Sequence, residues 1–430
     1  MTKTSLYDEL KWRGLIHQVT DEPVAREALA GRTAAYIGFD PTSTSLHVGS
    51  LLQIMNLVRL QRAGHRAVAL VGGGTGLIGD PSGKSAERTL LTDDRVRANA
   101  EALHGVLSRF LDFDGDNPAV MVNNLDWLGD LGLLPFLRDV GKHFSVNAMV
   151  QRDSVRTRLD ERNQGISYTE FSYMLLQAFD FAALYREHGC QAQLGGSDQW
   201  GNMVSGIDLI RRSGVSELGQ PFALTSPLIT SKSGKKFGKT EDGAVWLDAD
   251  RTSPYAFYQF WLQVSDDDVA DYLRYFTLLD QQSIEDNVQE HLQAPHKRHS
   301  QRLLAQEVTR FVHGAAGLEQ AQRATEVLFT GQVQGVPAEV LTEIFAHVPS
   351  ASISRETLGT QGVRCLLVGE AQGFAFTSNS DAKRALKQGS ISVNGVRLGA
   401  DPNAEFSDLI DNQLAVVRVG KKRYFLVKVI

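Results

Sequence analysis

Short apolar runs alternate with longer segments of helical spacing through the first half of the chain. The runs at 34–39, 67–71 and 119–122 have the length and composition of buried strands. Helical spacing follows at 46–64, 96–110 and 201–212. Strands separated by helices predict an α/β fold with a parallel sheet.

The first strand and the first long helix are joined by a segment rich in hydrogen-bonding residues. Asp40-Pro41 ends the strand, and Ser45 is predicted to cap the helix. His47, Gly49 and Ser50 then fall in the first helical turn, just past a strand's carboxyl end, where ligands bind in open parallel sheets. Free N–H groups and the helix dipole favour a phosphate there.

A glycine-rich segment follows the second strand and contains two incomplete motifs. Gly74-x-Gly76-x-x-Gly79 has the spacing of a dinucleotide-binding fingerprint, but Asp80-Pro81 follows where a helix should continue. The segment from Gly79 to Lys84 is similar to a P-loop, yet Ile78 stands where that motif has glycine. A plain glycine turn beside the sheet is a further interpretation of the segment.

One helix, predicted from Ser167 onward, carries polar residues along an otherwise apolar side. Tyr173, Gln177 and Asp180 have i, i+4 and i+7 spacing and therefore share a face. Such groups need partners if buried, so the face is either a polar edge or a binding surface. Another polar cluster, Gln193–Trp200, follows a further strand; in it, Asp198 suits a ribose hydroxyl and Gln199 a carboxylate or carbonyl group.

Lysine and glycine dominate residues 231–242. This composition is typical of a solvated mobile loop, but lysines between glycines also suit a loop that closes over phosphate. Helical patterns then run from Ser253 to about Phe345, with aromatic residues at 255–261 and 272–276 that we interpret as core. A basic helix and an Asn-Gly turn lie within 377–395.

Composition and charge narrow the functional classes. The chain has 430 residues, enough for two or three domains, and no apolar run long enough for a membrane span. The N-terminus lacks an apolar signal core, and the two cysteines are far apart, which favours a reducing cytoplasm. Net charge is −6 overall, but 361–430 carries ten Lys/Arg and six Asp/Glu. A basic tail on an acidic body indicates a localised polyanion contact.

Taken together, these motifs resemble the bacterial tyrosyl-tRNA synthetases, a family of class I aminoacyl-tRNA synthetases. His47-Val48-Gly49-Ser50 resembles the family's His-Ile-Gly-His motif, with Ser50 replacing the second histidine. Lys236-Phe237-Gly238-Lys239-Thr240 is similar to its Lys-Met-Ser-Lys-Ser loop. Residues 377–395 resemble an S4 RNA-binding module. The resemblance covers nearly the whole chain, and its motifs occur in the family's order.

The resemblance implies roles for particular residues. The tyrosine-binding residues would be Tyr36, Asp80, Tyr173, Gln177, Asp180 and Gln199. The ATP-binding residues would be Gly38, Asp40, His47, Gly49, Asp198, Lys236 and Lys239. The catalytic residues would be His47, Lys236, Lys239, Thr42 and Ser50, and the tRNA contacts Lys84, Arg88, Lys383, Arg384 and Lys387.

The implied architecture is a Rossmann-like catalytic domain (1–225), a lysine loop with an α-helical domain (226–345), a linker (346–361) and a small α+β S4-like domain (362–430). ATP would be a substrate accompanied by Mg²⁺, with no tightly bound cofactor and no protein metal site. The implied partners are L-tyrosine, tRNA(Tyr) and a second copy of the chain, which would meet through residues 133–149. The implied compartment is the cytoplasm.

Three other functions remain open at this point. A dinucleotide-dependent oxidoreductase would use the 74–79 glycines. A non-catalytic RNA-binding protein could retain the same scaffold, with Ser50 as the mark of lost activity. Tryptophan is an alternative substrate, although a carboxylate at Asp180 beside Tyr36 suits a phenol better.

Overall fold

The computed structural model describes residues 5–82, 91–152, 155–156, 159, 165–214, 218–230, 237–240, 243–330, 333–345, 348–369, 373–420 and 423–430. The chain divides into two compact units. The first comprises 1–252 and 260–308, and the second comprises 253–259 and 309–430. Two further helices are Pro254–Leu262 and His299–Thr330, and the second is kinked at Gly314, where the backbone is not helical.

A six-stranded sheet forms the centre of the first unit. Its strands are β1 (Gln18–Val19), β2 (Ala34–Phe39), β3 (Arg66–Val71), β4 (Val120–Asn123), β5 (Cys190–Gly196) and β6 (Phe222–Ser226). Their order is β1-β6-β5-β2-β3-β4, and every pair is parallel except β1 with β6. The chain winds outward from β2 through β3 to β4 and then returns to add β5 on the other side. Neighbours β2 and β5 therefore mark the topological switch point, where ligands bind in such sheets.

Helices cover this sheet, and a helical segment follows it. Their bounds are Leu6–Trp12, Glu22–Ala30, Val48–Ala63, Thr75–Ile78, Asp93–Leu107, Leu125–Leu128, Leu133–Pro135, Val146–Val150, Tyr168–His188, Trp200–Arg212, Val269–Phe276 and Gln281–Gln293. A π turn lies at Phe136–Val140, and short 3₁₀ turns lie at Gly141–His143, Ser197–Gln199 and Pro295–Lys297. Two short strands, β7 (Lys239–Thr240) and β8 (Gly243–Ala244), pair in antiparallel orientation. Among the helices that the structure describes, none is long and apolar enough to span a membrane.

A five-stranded sheet organises the second unit. Its strands are β9 (Ser350–Ile353), β10 (Ile391–Val393), β11 (Val396–Arg397), β12 (Leu414–Val419) and β13 (Arg423–Val429), in the order β11-β10-β12-β13-β9. The unit's helices are Ala338–Ile344, Arg355–Gln361, Arg364–Leu367 and Asn379–Lys387. Asn394 and Gly395 have positive φ angles of 50° and 82°, as the predicted Asn-Gly hairpin turn requires.

The predicted fold class is confirmed: an α/β parallel sheet precedes a helical region and a small α+β region. Two local predictions differ from the structure. His47, not Ser45, is the N-cap of helix Val48–Ala63. The expected linker at 346–361 contains β9 and helix Arg355–Gln361, because β9 pairs in parallel with β13, a non-local partner that the local pattern does not reveal.

Candidate active site

A cavity of about 460 Å³ opens at the carboxyl ends of β2 and β5. Its walls come from these two strands, the start of helix Val48–Ala63, the Gly72–Ser82 segment and the polar face of helix Tyr168–His188. The predicted residues that line it are Tyr36, Gly38, Asp40, Thr42, His47, Gly49, Ser50, Asp80, Tyr173, Gln177, Asp180, Asp198 and Gln199. Folding thus gathers residues from four separate motifs into one cavity.

A buried carboxylate and a buried phenol occupy one part of this cavity. Asp180 is 1% exposed, and its Oδ1 and Oδ2 accept hydrogen bonds from Trp127 Nε1 at 2.7 Å and Asn124 Nδ2 at 2.8 Å. Burial raises the pKa of Asp180 to about 7, although these two donors oppose the shift. The hydroxyl of Tyr36 is buried and has no hydrogen-bond partner among the described residues. Burial, followed by the charge of Asp180, raises the pKa of Tyr36 well above its usual value.

Asn124 and Trp127 were not predicted from the sequence. Besides Asp180, Asn124 binds the glycine-rich segment: its Oδ1 accepts from Gly74 N at 2.7 Å, and its Nδ2 donates to Thr75 Oγ1 at 2.9 Å. Thr75 Oγ1 in turn donates to Asp40 Oδ1 at 3.2 Å. The glycine-rich segment is therefore a short helix, Thr75–Ile78, held by side chains beyond β4 rather than a dinucleotide-binding turn.

A second polar network lies along the same cavity. Gln199 Nε2 donates to Asp80 Oδ2 at 2.7 Å, and Asn202 Nδ2 donates to Gln177 Oε1 at 2.9 Å and to Gln199 Oε1 at 3.1 Å. Tyr173 donates to Asp40 Oδ2 at 3.4 Å. Asn202 Nδ2 also donates to Ser82 Oγ at 3.3 Å, so Asn202, which was not predicted, links residues from three motifs.

The start of helix Val48–Ala63 differs from the predicted phosphate site. Val48 N donates to Val245 O at 2.9 Å, Gly49 N to His47 Nδ1 at 3.0 Å, and Ser50 N to His47 O at 2.8 Å. The three amides predicted to be free therefore have acceptors. Because His47 Nδ1 accepts, the proton of the neutral ring is on Nε2.

Glycine is required at two positions beside this helix start. A Cβ on Gly49 would lie 2.6 Å from His47 Cε1, so the side chain of any other residue would collide with the capping ring. Gly238 has a φ of +77°, and a Cβ there would lie 2.8 Å from Val48 Cγ2. The backbone at Gly238 thus packs directly on the turn that carries His47.

Phe237 fixes the described part of the lysine segment. Its ring centroid lies 5.2 to 5.8 Å from those of Phe260, Trp261, Tyr272 and Phe276. Trp261 and Phe276 are at most 1% exposed, which confirms the prediction that these aromatic residues form core.

Some predicted residues cannot be placed at the cavity. Lys84, Arg88 and Lys236 lie outside the described residues, and the structure describes only the backbone of Lys239. Lys383, Arg384 and Lys387 are exposed on helix Asn379–Lys387 in the second unit. Conversely, Gln53, Gln193 and Trp246 line the cavity without having been predicted. Gln53 Oε1 and Gln193 Oε1 have no partner among the described residues.

Comparisons with known proteins bear on the whole chain. The family model "tRNA synthetases class I (W and Y)" matches residues 28–330, and "Tyrosine--tRNA ligase SYY-like C-terminal domain" matches residues 340–427. A tyrosine–tRNA ligase of Rhodopirellula baltica is 49% identical over 99% of this chain and 96% of its own length. That of Roseiflexus castenholzii is 49% identical over 99% and 100%, respectively.

The chain belongs to the tyrosine–tRNA ligase family. Among solved structures, a truncated mitochondrial tyrosyl-tRNA synthetase of Aspergillus nidulans is 31% identical with a TM-score of 0.69, covering 76% of this chain and 95% of its own. A tryptophanyl-tRNA synthetase of Encephalitozoon cuniculi is 13% identical with a TM-score of 0.51, covering 78% and 90%, and shows the shared fold alone.

Proposed function

We propose that this tyrosine–tRNA ligase binds L-tyrosine and ATP side by side in the cavity at the ends of β2 and β5. The observation that carries the proposal is the buried hydroxyl of Tyr36, which has no partner in the described part of the chain and lies beside the buried carboxylate of Asp180. A phenolic substrate would accept from the first and donate to the second. Phenylalanine would leave both without a partner, which is the costly outcome for buried polar groups.

The amino end of tyrosine is assigned to the other polar network. Asp80, Tyr173, Gln177 and Gln199 present carboxylate, phenol and amide groups to the cavity. An ammonium group requires a fixed carboxylate, and Asp80 is held by Gln199 Nε2 and by Ser82 N at 2.8 Å. In this orientation the substrate carboxylate points toward the helix that begins at Val48.

ATP is assigned to the half of the cavity nearest that helix. Gly38, Asp40, Gly49 and Asp198 suit the sugar and base, and His47 Nε2–H suits a phosphate oxygen. Thr42, Ser50, Lys236 and Lys239 complete the proposed set of phosphate-binding groups. Ser50 donates only a neutral hydrogen bond, so most positive charge comes from the lysines.

In the proposed reaction, a tyrosine carboxylate oxygen attacks the α-phosphorus of ATP, and the bond to the bridging oxygen of pyrophosphate breaks. A hydroxyl of the terminal tRNA ribose then attacks the carbonyl carbon, and AMP leaves. No side chain forms a covalent intermediate. The protein instead positions the reactants and donates hydrogen bonds to developing charge.

Mg²⁺ is proposed to accompany ATP and to neutralise its phosphates. Within the described part of the chain, no three His, Cys, Asp or Glu side chains form a metal-binding group. Because magnesium retains water ligands and usually binds substrate phosphates, phosphate oxygens and water are proposed to hold the ion.

The macromolecular partners are assigned to two further surfaces. Exposed Lys383, Arg384 and Lys387 present positive charge to a tRNA backbone, and Lys84 and Arg88 are proposed as further contacts. Leu133 and Leu134 are 70% and 77% exposed, and such apolar exposure suits the contact between two copies of the chain.

Both cysteines are free and buried, which agrees with a reducing cytoplasm.

The test is ATP–pyrophosphate exchange driven by tyrosine, phenylalanine or tryptophan. We expect exchange with tyrosine and little with the other two. Exchange favouring tryptophan, or no exchange with tRNA binding intact, would refute the proposal.

A further inference from the structure

Arg251, which has no assigned role, stacks on an aromatic ring that lines the cavity. Its guanidinium carbon lies 3.2 Å from the ring centroid of Trp246, and its Nη1 donates to Ser43 Oγ at 2.9 Å. Trp246 and Ser43 both line the cavity, whereas Arg251 does not. The arginine therefore contacts the wall of the site from outside.

A tight turn presents Arg251 to that wall. Arg251 N donates to Asp248 O at 3.2 Å and Thr252 N to the same oxygen at 3.0 Å. Trp246 N donates to Thr252 Oγ1 at 3.0 Å, which closes the turn on itself. The chain consequently folds back so that Arg251 lies over a residue only five positions earlier.

Trp246 in turn contacts His47. The two residues form an isolated antiparallel bridge, and their ring centroids lie 6.0 Å apart with an interplanar angle of 66°. Backbone bonds flank the bridge: Val48 N donates to Val245 O, and Leu247 N donates to Leu46 O, both at 2.9 Å. The indole edge thus limits how far the exposed imidazole can swing.

We propose that Arg251 is a positioning residue for adenylate formation, acting through Trp246 on the ring of His47. Ser43 gives it a second attachment on the segment that leads into the helix. Arginine suits this position because its planar guanidinium can stack on the indole while its N–H groups donate a hydrogen bond in the plane of the guanidinium, which lysine cannot do. The inference rests on the proposed role of His47 toward ATP.

The variant Arg251→Ala tests the inference in ATP–pyrophosphate exchange at varied ATP and tyrosine. Loss of one exposed cation–π contact and one hydrogen bond is expected to lower kcat/KM for ATP about fivefold to thirtyfold. KM for tyrosine should stay unchanged, since the tyrosine pocket lies on other elements. Arg251→Lys should lose nearly as much as Arg251→Ala.

The matched control is Arg26→Ala. Arg26 also stacks on an aromatic ring, Tyr7, at 4.3 Å, and is bonded to Asp8 and Glu22. It lies outside the cavity, so exchange kinetics should equal those of the wild type. The Trp246→Ala variant provides a second test. If Arg251 acts through Trp246, adding Arg251→Ala to that variant should lower kcat/KM for ATP less than about twofold.

Three results would overturn the inference. The first is an Arg251→Ala enzyme with wild-type exchange. The second is normal exchange but lowered charging of tRNA, which would identify Arg251 as a tRNA contact. The third is an undiminished loss in the Trp246→Ala background. Absence of exchange in the wild-type enzyme would instead refute the proposed function itself.

Discussion

Replacing Tyr36 by phenylalanine should change stability and substrate binding in opposite directions. The hydroxyl is buried without a partner among the described residues, so the folded protein carries its desolvation cost. Removing it is expected to increase the free energy of unfolding by about 1 kcal/mol. Tyrosine, however, would lose one neutral hydrogen bond worth about 0.5–1.5 kcal/mol. Its KM should therefore rise about twofold to twelvefold.

Tyr185→Phe is the matched control. Tyr185 is also fully buried, but its hydroxyl donates to Gly219 O at 2.6 Å and accepts from Leu218 N at 3.2 Å. Losing a satisfied hydroxyl should lower the free energy of unfolding by about 1–3 kcal/mol and leave the KM for tyrosine unchanged.

Urea unfolding and tyrosine-dependent pyrophosphate exchange measure the two quantities on the same preparations. A Tyr36→Phe protein destabilised like Tyr185→Phe would contradict this prediction, because the hydroxyl would then have a partner in the free protein. An unchanged KM for tyrosine would contradict it equally, because the substrate phenol would then bind elsewhere.

Three further substitutions test other parts of the site. Because the pKa of Asp180 is raised to about 7, the folded protein keeps a proton that the unfolded chain releases, and Asp180 should lower the free energy of unfolding increasingly as pH rises from about 4 to 7. Asp180→Asn should abolish this pH dependence in urea unfolding, and an unchanged pH profile would contradict the prediction. Gly49→Ala should displace the His47 ring and lower exchange by roughly 10²-fold, with a melting temperature near that of the wild type as the check against misfolding. Lys239→Ala should lower adenylate formation while tyrosine binding, followed by equilibrium dialysis, persists; equal loss of both would indicate a structural role.

Local sequence patterns were enough to predict the helix face that carries Tyr173, Gln177 and Asp180. Its spacing follows from helix geometry, and the helix begins where predicted, with Ser167 as the N-cap that accepts from Glu170 N. The donors to Asp180 could not be predicted in the same way. Asn124 and Trp127 follow an edge strand and meet Asp180 only because the sheet brings distant segments together.

The cap at His47 illustrates the same limit. Ser45 is the better capping residue by type, and nothing nearby in the chain disfavours it. The pairing of Val245–Leu247 with residues 46–48 extends the backbone through Leu46 and moves the helix start two residues onward. A backbone pairing between segments distant in the chain therefore outweighed the local preference for serine at the N-cap.

That pairing also affects which sequence changes the chain can accept. Main-chain atoms alone make the bonds between Val245 O and Val48 N and between Leu247 N and Leu46 O, so side-chain substitutions leave them intact. A one-residue insertion or deletion immediately after Val245 is different, because it would shift the register and turn the indole of Trp246 away from His47. Relatives should thus keep the length of this seam constant, because its main-chain bonds depend on register.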